Sequence, residues 1–281
     1  MQGKVVVITG STSGIGQVAA ERLAERGARL LLVARDQARG HATMAALGRN
    51  ARAAGHRLHF ADLSRLSEVK RLAAEIASAE PRVDVLINNA GALFARRQVT
   101  EDGLERSFAL NHMAYFVLTL GLLERLKAAA PARIVNTASD AHRGQRLDFD
   151  DLQCERSYSG LKAYGRSKLC NILFTRELAR RIAGSGVTVN CLHPGFVATR
   201  FGDGAGGWMA WAIRAAKLFA LPQAKGAETI VHLAAAPEAA GASGGYFHRC
   251  RPATPSAEAQ DDGAAARLWA ESARIAGMDI A

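Results

Sequence analysis

The chain has 281 residues, with 36 Lys or Arg against 26 Asp or Glu, a formal net charge of +10. It is 49% hydrophobic and 22% charged, the balance of an ordinary globular protein long enough to bury a full core. Its 27 Gly and 7 Pro are too few for a collagen-like or low-complexity chain.

In chain order, residues 4–9 read as a β-branched strand, followed by a helix over 14–26 with Val18, Ala19, Leu23 and Ala24 on one face. Residues 29–34 form a second strand, continuously apolar from Leu30, and 57–60 a weaker third. Ser64 is expected to cap a helix running to about Ala79, with Leu66, Val69, Leu72, Ala73 and Ile76 at helical spacing. Strands follow at 84–88 and 133–137, separated by a long helix over 101–129. A helix over 159–183, a strand over 187–192 and a glycine-rich stretch over 202–207 come next. The remainder reads as an apolar segment over 208–221, a helix over 225–236, a short strand at 245–248 and a helix over 257–275. Strands with no inside–outside alternation, separated by helices, predict an α/β protein. Its parallel sheet is doubly wound and covered on both faces, in a single domain over 1–281.

Several classes are excluded. The uncharged, mostly apolar run over residues 107–123 is 17 residues and holds Asn111 and His112. A span needs about 20 mostly apolar residues, so a buried helix is expected there. The apolar stretch from Val5 to Ile8 is too short for a signal peptide, and a cytoplasmic protein is expected. Cys154, Cys170, Cys191 and Cys250 form no C-x-x-C pair, so no zinc site or redox motif is signalled and free thiols are expected. The 29 arginines and 7 lysines are scattered without aromatic interleaving, which gives nucleic acid no support as a partner. Residues 156–225 hold eleven basic and two acidic side chains. This is either a solvated face or a field for an anionic cofactor or lipid surface.

The first strand runs into Gly10-Ser11-Thr12-Ser13-Gly14-Ile15-Gly16 and then a helix. Glycines let backbone approach a pyrophosphate, and a helix N-terminus offers free N–H groups. The spacing is G-x-x-x-G-x-G, and a ligand-free glycine turn is the competing reading. At the end of the second strand, Ala34 stands where an acidic side chain would bind a ribose 2′-hydroxyl, and Arg35 follows. An Arg there suits a 2′-phosphate, so NADP(H) is favoured over NAD(H). Asp36 either neutralises Arg35 or caps the following helix. Tyr164 and Lys168 lie four apart on one helix face. An ammonium beside a phenol lowers its pKa, which is what proton transfer to a carbonyl needs.

These motifs, with Asn88-Asn89-Ala90-Gly91, Asn111, Ser139 and His193-Pro194-Gly195, stand in the order found in short-chain dehydrogenases/reductases. The chain resembles that family over nearly its whole length, which implies a Rossmann-type fold. Thr137-Ala138-Ser139-Asp140-Ala141-His142, the block from Ala163 to Asn171, and Gly245-Tyr246-Phe247 are similar to the retinol dehydrogenase / WW-domain oxidoreductase branch. The resemblance implies Tyr164 as general acid/base and Lys168 as the group that lowers its pKa and binds the nicotinamide ribose. It implies Ser139 as a hydrogen-bond partner of the carbonyl oxygen. Asn111 would hold a relay water, or satisfy a backbone kink, or both. Asp62 and Leu63 would contact adenine, with Asp62 as a helix cap the alternative. Asn89, Ala90 and Gly91 would line the cofactor, with stabilisation of the sheet edge as the alternative for the asparagines. Pro194, Gly195, Val197 and Thr199 would face the nicotinamide amide.

Ser13 departs from the basic residue that many NADP-using members carry there, so Arg35 bears the phosphate preference. With a first strand at Lys4, the membrane-anchoring helix of many animal members is not expected. A substrate lid is expected over about 196–225, where Trp208, Met209, Trp211, Leu218 and Phe219 would wall a pocket, pack as an ordinary helix, or touch a membrane surface peripherally. The implied substrate is a small hydrophobic carbonyl or alcohol. His142 is expected in a solvated loop. A regulatory dinucleotide-binding protein and a C=C or tetrapyrrole reductase remain as alternatives, and the assembly is a homodimer or a monomer.

Overall fold

A computed structural model describes residues 1–50, 55–195 and 222–279. Its strands are β1 (Val5–Thr9), β2 (Arg29–Ala34), β3 (Arg57–Phe60), β4 (Val85–Asn88), β5 (Ala132–Thr137), β6 (Val187–His193), β7 (Tyr246–His248) and β8 (Arg251–Ala253). They form one sheet in the order β3-β2-β1-β4-β5-β6-β7-β8, parallel through β7, with β8 antiparallel at the edge. Sequence reading missed β8, which is three residues long and contains Pro252, a residue sheets confine to edges.

The helices are α1 (Gly14–Glu25), α2 (Gln37–Asn50), α3 (Leu66–Ala79), α4 (Arg106–Phe108), α5 (Ala114–Lys127), α6 (Gly160–Arg181), α7 (Gln223–Ala235) and α8 (Asp262–Ala276). Strand side chains alternate between two cores. Val6, Ile8, Leu30 and Leu32 pack with residues of α1 and α7. Val5, Val7, Leu31 and Val33 pack with α3, α5, α6 and α8. The five apolar positions expected along α3 are all buried.

Some boundaries differ from expectation. Ser64 does not cap α3: its N–H and hydroxyl both donate to Asp62 Oδ1, at 2.9 and 2.7 Å. The helix starts at Leu66, whose N–H donates to Asp102 Oδ2 at 2.8 Å. The helix expected from 101 begins only at Arg106, because Gly103 turns with φ +75° and the buried Glu105 carboxylate caps the N–H groups of Ser107 and Phe108, both at 2.8 Å. A π-turn, Ala109–Met113, then joins α4 to α5. The last helix begins at Asp262, capped by Asp261. Residues 107–123 are helical and largely buried, as expected. Among the described residues no helix is long and apolar enough to cross a membrane.

Candidate active site

Strand order reverses between β1 and β4, and a crevice opens at the carboxyl ends of strands at such a point. A cleft of about 1130 Å³ lies there, lined by the glycine turn, Arg35, Asp62, Asn89 to Gly91, Ser139, Tyr164, Lys168 and His193 to Gly195. Gly10, Thr12, Ser13, Gly14 and Ile15 line it directly. Gly10 has φ +67°, and a Cβ on it would lie 2.8 Å from Ala90 Cα. A Cβ on Gly16 would collide with the Gly10 carbonyl and the Asn89 amide, so only glycine lets α1 start this close to β4. Ser11 is buried behind the turn, and its hydroxyl finds no partner among the described residues.

The two strands that flank the crevice are tied together. Thr9 Oγ1 accepts the N–H groups of Asn89 and Ala90 at 2.9 and 3.0 Å. Asn89 Nδ2 returns hydrogen bonds to the carbonyls of Thr9 and Gly10. Asn88 turns the other way: its Nδ2 donates to Thr119 Oγ1 and Asn136 Oδ1, both at 2.9 Å. Asn136 continues to Thr175 on α6, also at 2.9 Å. Both asparagines therefore stabilise the sheet end, and Asn89 lines the cleft as well.

At the adenosine end, Arg35 is exposed on the cleft. Asp36 caps α2, accepting the Arg39 N–H at 2.9 Å, and that bond holds its carboxyl below the usual range. Of the two readings of Asp36, the cap is the one observed. Burial works to raise the Asp62 carboxyl, but the Ser64 donors, with Arg35 and Arg106 nearby, leave it below its usual range. Leu63 also lines the cleft. Arg39, Arg96 and Arg106 line it too. Sequence reading did not single them out, since three arginines among 29 carry no local signal.

Ser139, at the end of β5, meets Tyr164 and Lys168 of α6. The Ser139 hydroxyl is near enough to the Tyr164 phenol to pull it down, against burial. Lys168 Nζ donates to the Thr137 carbonyl at 2.8 Å and lies 5.6 Å from the centre of the Tyr164 ring. In this free protein burial opposes the lowering of the phenol that is expected from Lys168. Burial pushes Tyr164 up to about 12, against the opposing pull of Ser139, and pushes Lys168 down to about 7. Desolvation penalises both charged forms at once, and half-neutralised ammonium gives little field.

Asn111 lies within the π-turn. Its Oδ1 accepts the Ala92 N–H, and its Nδ2 donates to the Ala92 carbonyl and to Ser167 Oγ, all at 2.9 Å. Asn111 stands in the kink, but its amide bonds the segment at Ala92 and Ser167 of α6 and is engaged at both ends. His142 is not solvated: it is fully buried against the Tyr246 ring, and its own ring bonds the Ser139 carbonyl and the Ser256 N–H. Pro194 and Gly195 line the cleft beyond β6. Val197, Thr199 and the lid expected over 196–225, as far as residue 221, lie outside the described residues.

A nicotinamide dinucleotide fits these residues. The glycine positions that a Cβ would fill, the α1 N-terminus and the cationic rim suit a polyphosphate. A family model described as short chain dehydrogenase matches residues 4–209. Retinol dehydrogenase 13 of Homo sapiens is 41% identical, with 99% of this chain and 86% of that protein covered. Retinol dehydrogenase 14 of Homo sapiens is 40% identical, covering 99% and 88%. Among solved structures, an uncharacterized protein from Mycobacterium paratuberculosis superposes with a TM-score of 0.81 at 32% identity, over 100% of this chain and 96% of that one. A short chain dehydrogenase from Burkholderia cenocepacia J2315, solved in complex with NADP, gives 0.69 at 28% identity, over 92% and 99%.

Proposed function

Because the chain belongs to the short-chain dehydrogenase family of NAD(P)-dependent alcohol/carbonyl oxidoreductases, we propose that it interconverts hydrophobic carbonyls and alcohols with NADP(H), using Tyr164 as acid and base. The observation that carries this reading is that Ser139, Tyr164 and Lys168 line the same cleft as the glycine turn.

The bound dinucleotide supplies or takes up the hydride. The Tyr164 phenol, protonated at neutral pH, gives its proton to the carbonyl oxygen in reduction and recovers it in oxidation. Ser139 hydrogen-bonds the same oxygen. Lys168 binds the nicotinamide ribose. Asn111, whose amide bonds Ala92 and Ser167, holds a water in a proton relay with Lys168. Residues 10–16 cradle the pyrophosphate, Asp62 and Leu63 contact adenine, and Asn89 to Gly91 line the path between. Pro194 and Gly195, with Val197 and Thr199, face the carboxamide. Arg35 carries the preference for a 2′-phosphate, with Arg39 and Arg106 adding positive charge to the same cleft.

Leu93, Phe94, Leu110 and Leu161 line the cleft, and Leu161 is 57% exposed although apolar. That lining supports a hydrophobic substrate. The test is nicotinamide absorbance with NADPH or NADH and a panel of hydrophobic aldehydes and ketones that includes retinal. Faster oxidation of NADPH, lost in Tyr164→Phe, is the expected result. Equal or better use of NADH sinks the Arg35 assignment, and no turnover despite dinucleotide binding sinks the catalytic reading.

A further inference from the structure

The carbonyl of Ser139 and the N–H of Asp140 belong to one planar peptide unit, and each end of that unit is held by an imidazole. His142 Nδ1 lies 2.6 Å from the Ser139 carbonyl oxygen. The Asp140 N–H donates to His193 Nδ1 at 3.2 Å. Main-chain groups have fixed polarity, so they set the tautomers. A carbonyl only accepts, so His142 Nδ1 bears the proton. An amide only donates, so His193 Nδ1 is bare and the ring proton sits on Nε2, 3.6 Å from Asp140 Oδ2. The far side of His142 agrees, because its Nε2 accepts the Ser256 N–H at 3.1 Å. The rings are neutral and in opposite tautomers.

Asp140 is anchored as well. Its Oδ1 accepts the Tyr246 hydroxyl at 2.8 Å and Arg143 Nε at 3.1 Å. Ser139 Oγ accepts the Ala141 N–H at 3.2 Å. The peptide that carries the Ser139 side chain is thereby fixed from the turn after β5, from the end of β6 and from β7.

We propose that His142 and His193 are positioning residues that hold the Ser139–Asp140 peptide plane, and through it the Ser139 hydroxyl, in its working orientation while both rings are neutral. The inference rests on the role proposed above for Ser139. Both histidines act through Ser139 and not on the reacting atoms.

The groups facing the rings decide their charge. His193 faces Asp140, which favours its cation, and His248, His142 and Arg143, which oppose it; burial outweighs them all and pushes it down to about 4. The His248 ring centre is 5.1 Å away. His142 is lowered by burial and by Arg143, against the raising effects of the Ser139 carbonyl, Asp140 and Glu258. The Tyr246 ring sits edge-on to it at 5.4 Å. At neutral pH both hydrogen bonds stand. Acid puts a proton on His193 Nδ1 or His142 Nε2 and deletes one acceptor.

An asparagine amide can stand near the Nδ1 position without titrating, which separates the hydrogen bond from the charge. His193→Ala and His142→Ala are expected to lower kcat about tenfold, with dinucleotide Kd within about twofold of the parent. His193→Asn and His142→Asn are expected to recover most of that loss. The fall in kcat towards about pH 4 is expected to be shallower in His193→Asn. Alanine variants with parental kcat, or asparagine variants as slow as the alanines, overturn the proposal. Ring ¹⁵N NMR of the parent protein tests it without turnover: Nδ1–H at His142 and Nε2–H at His193 are expected, and the reverse at either ring overturns it. Ser139→Ala separates the two readings. If it leaves kcat unchanged, the role of Ser139 falls and this inference with it. If it is slow while the histidine variants are not, this inference alone falls.

Discussion

Asn111 pairs with both main-chain groups of Ala92, accepting from its N–H and donating to its C=O, each at 2.9 Å. A side-chain amide here imitates a strand partner. It fixes the segment just beyond Gly91, which forms one wall of the cleft, and its third bond to Ser167 reaches the helix that carries Tyr164 and Lys168. Asn111 lies within the π-turn, a feature frequent at functional sites. Asn111→Ala deletes three hydrogen bonds from a buried group. It is expected to destabilise the fold by roughly 2–4 kcal/mol in urea titration, and to lower kcat more than it changes dinucleotide affinity. A variant with parental stability contradicts the structural role.

Tyr164→Phe keeps the ring and removes the proton that the reaction needs. The expected loss in kcat is about 10²–10⁴-fold, with dinucleotide binding retained in fluorescence titration. Residual turnover within a few-fold of the parent assigns the proton to another group.

Arg35→Ala is expected to raise the KM for NADPH by about tenfold or more and to leave that for NADH nearly unchanged, since a charge-assisted phosphate contact is lost. Asp36→Ala serves as the contrast. It removes the cap of α2 and is expected to cost about 1 kcal/mol of stability with little change in cofactor choice. A switch in cofactor preference in Asp36→Ala, read from steady-state kinetics with both dinucleotides, contradicts the capping role.

His112 governs part of the acid stability. It is buried among Phe108, Phe116 and Phe174, bonds Ser272 Oγ at 2.8 Å, and burial pushes it down to about 3 from an ordinary 6.5. Between those values the unfolded chain binds a proton that the folded one does not. Stability therefore rises with pH across that window and falls as acid is added. His112→Gln retains a polar partner for Ser272 and does not titrate. Its Tm is expected to depend less steeply on pH between about 3 and 6.5. An unchanged slope removes His112 from the acid transition.

Glu105→Ala removes the carboxylate that caps two N–H groups at the start of α4, and leaves the Tyr158 hydroxyl with one fewer neighbour. A loss of about 1–3 kcal/mol is expected. Chemical denaturation measures it, and a value near zero shows the cap to be replaceable by water.

What the sequence by itself determined rests on short-range rules. The glycine turn after β1, the shared face of Tyr164 and Lys168, and the apolar spacing of α3 each depend on residues within a turn or two of one another, so periodicity and φ preference suffice. The order of motifs along the chain was equally legible. What only the tertiary structure decided involves groups distant in sequence. The partners of Asn111 lie 19 and 56 positions away, and Asp140 meets Tyr246 across 106. The start of the long helix depended on Glu105 folding back onto its own N-terminus, beneath a glycine turn. The burial of His142, the opposite tautomers at Ser139 and the upward shift of Tyr164 follow from desolvation and from main-chain groups arriving at particular nitrogens. Neither is encoded in any local pattern, because both depend on which atoms exclude water once the sheet and its helices have closed.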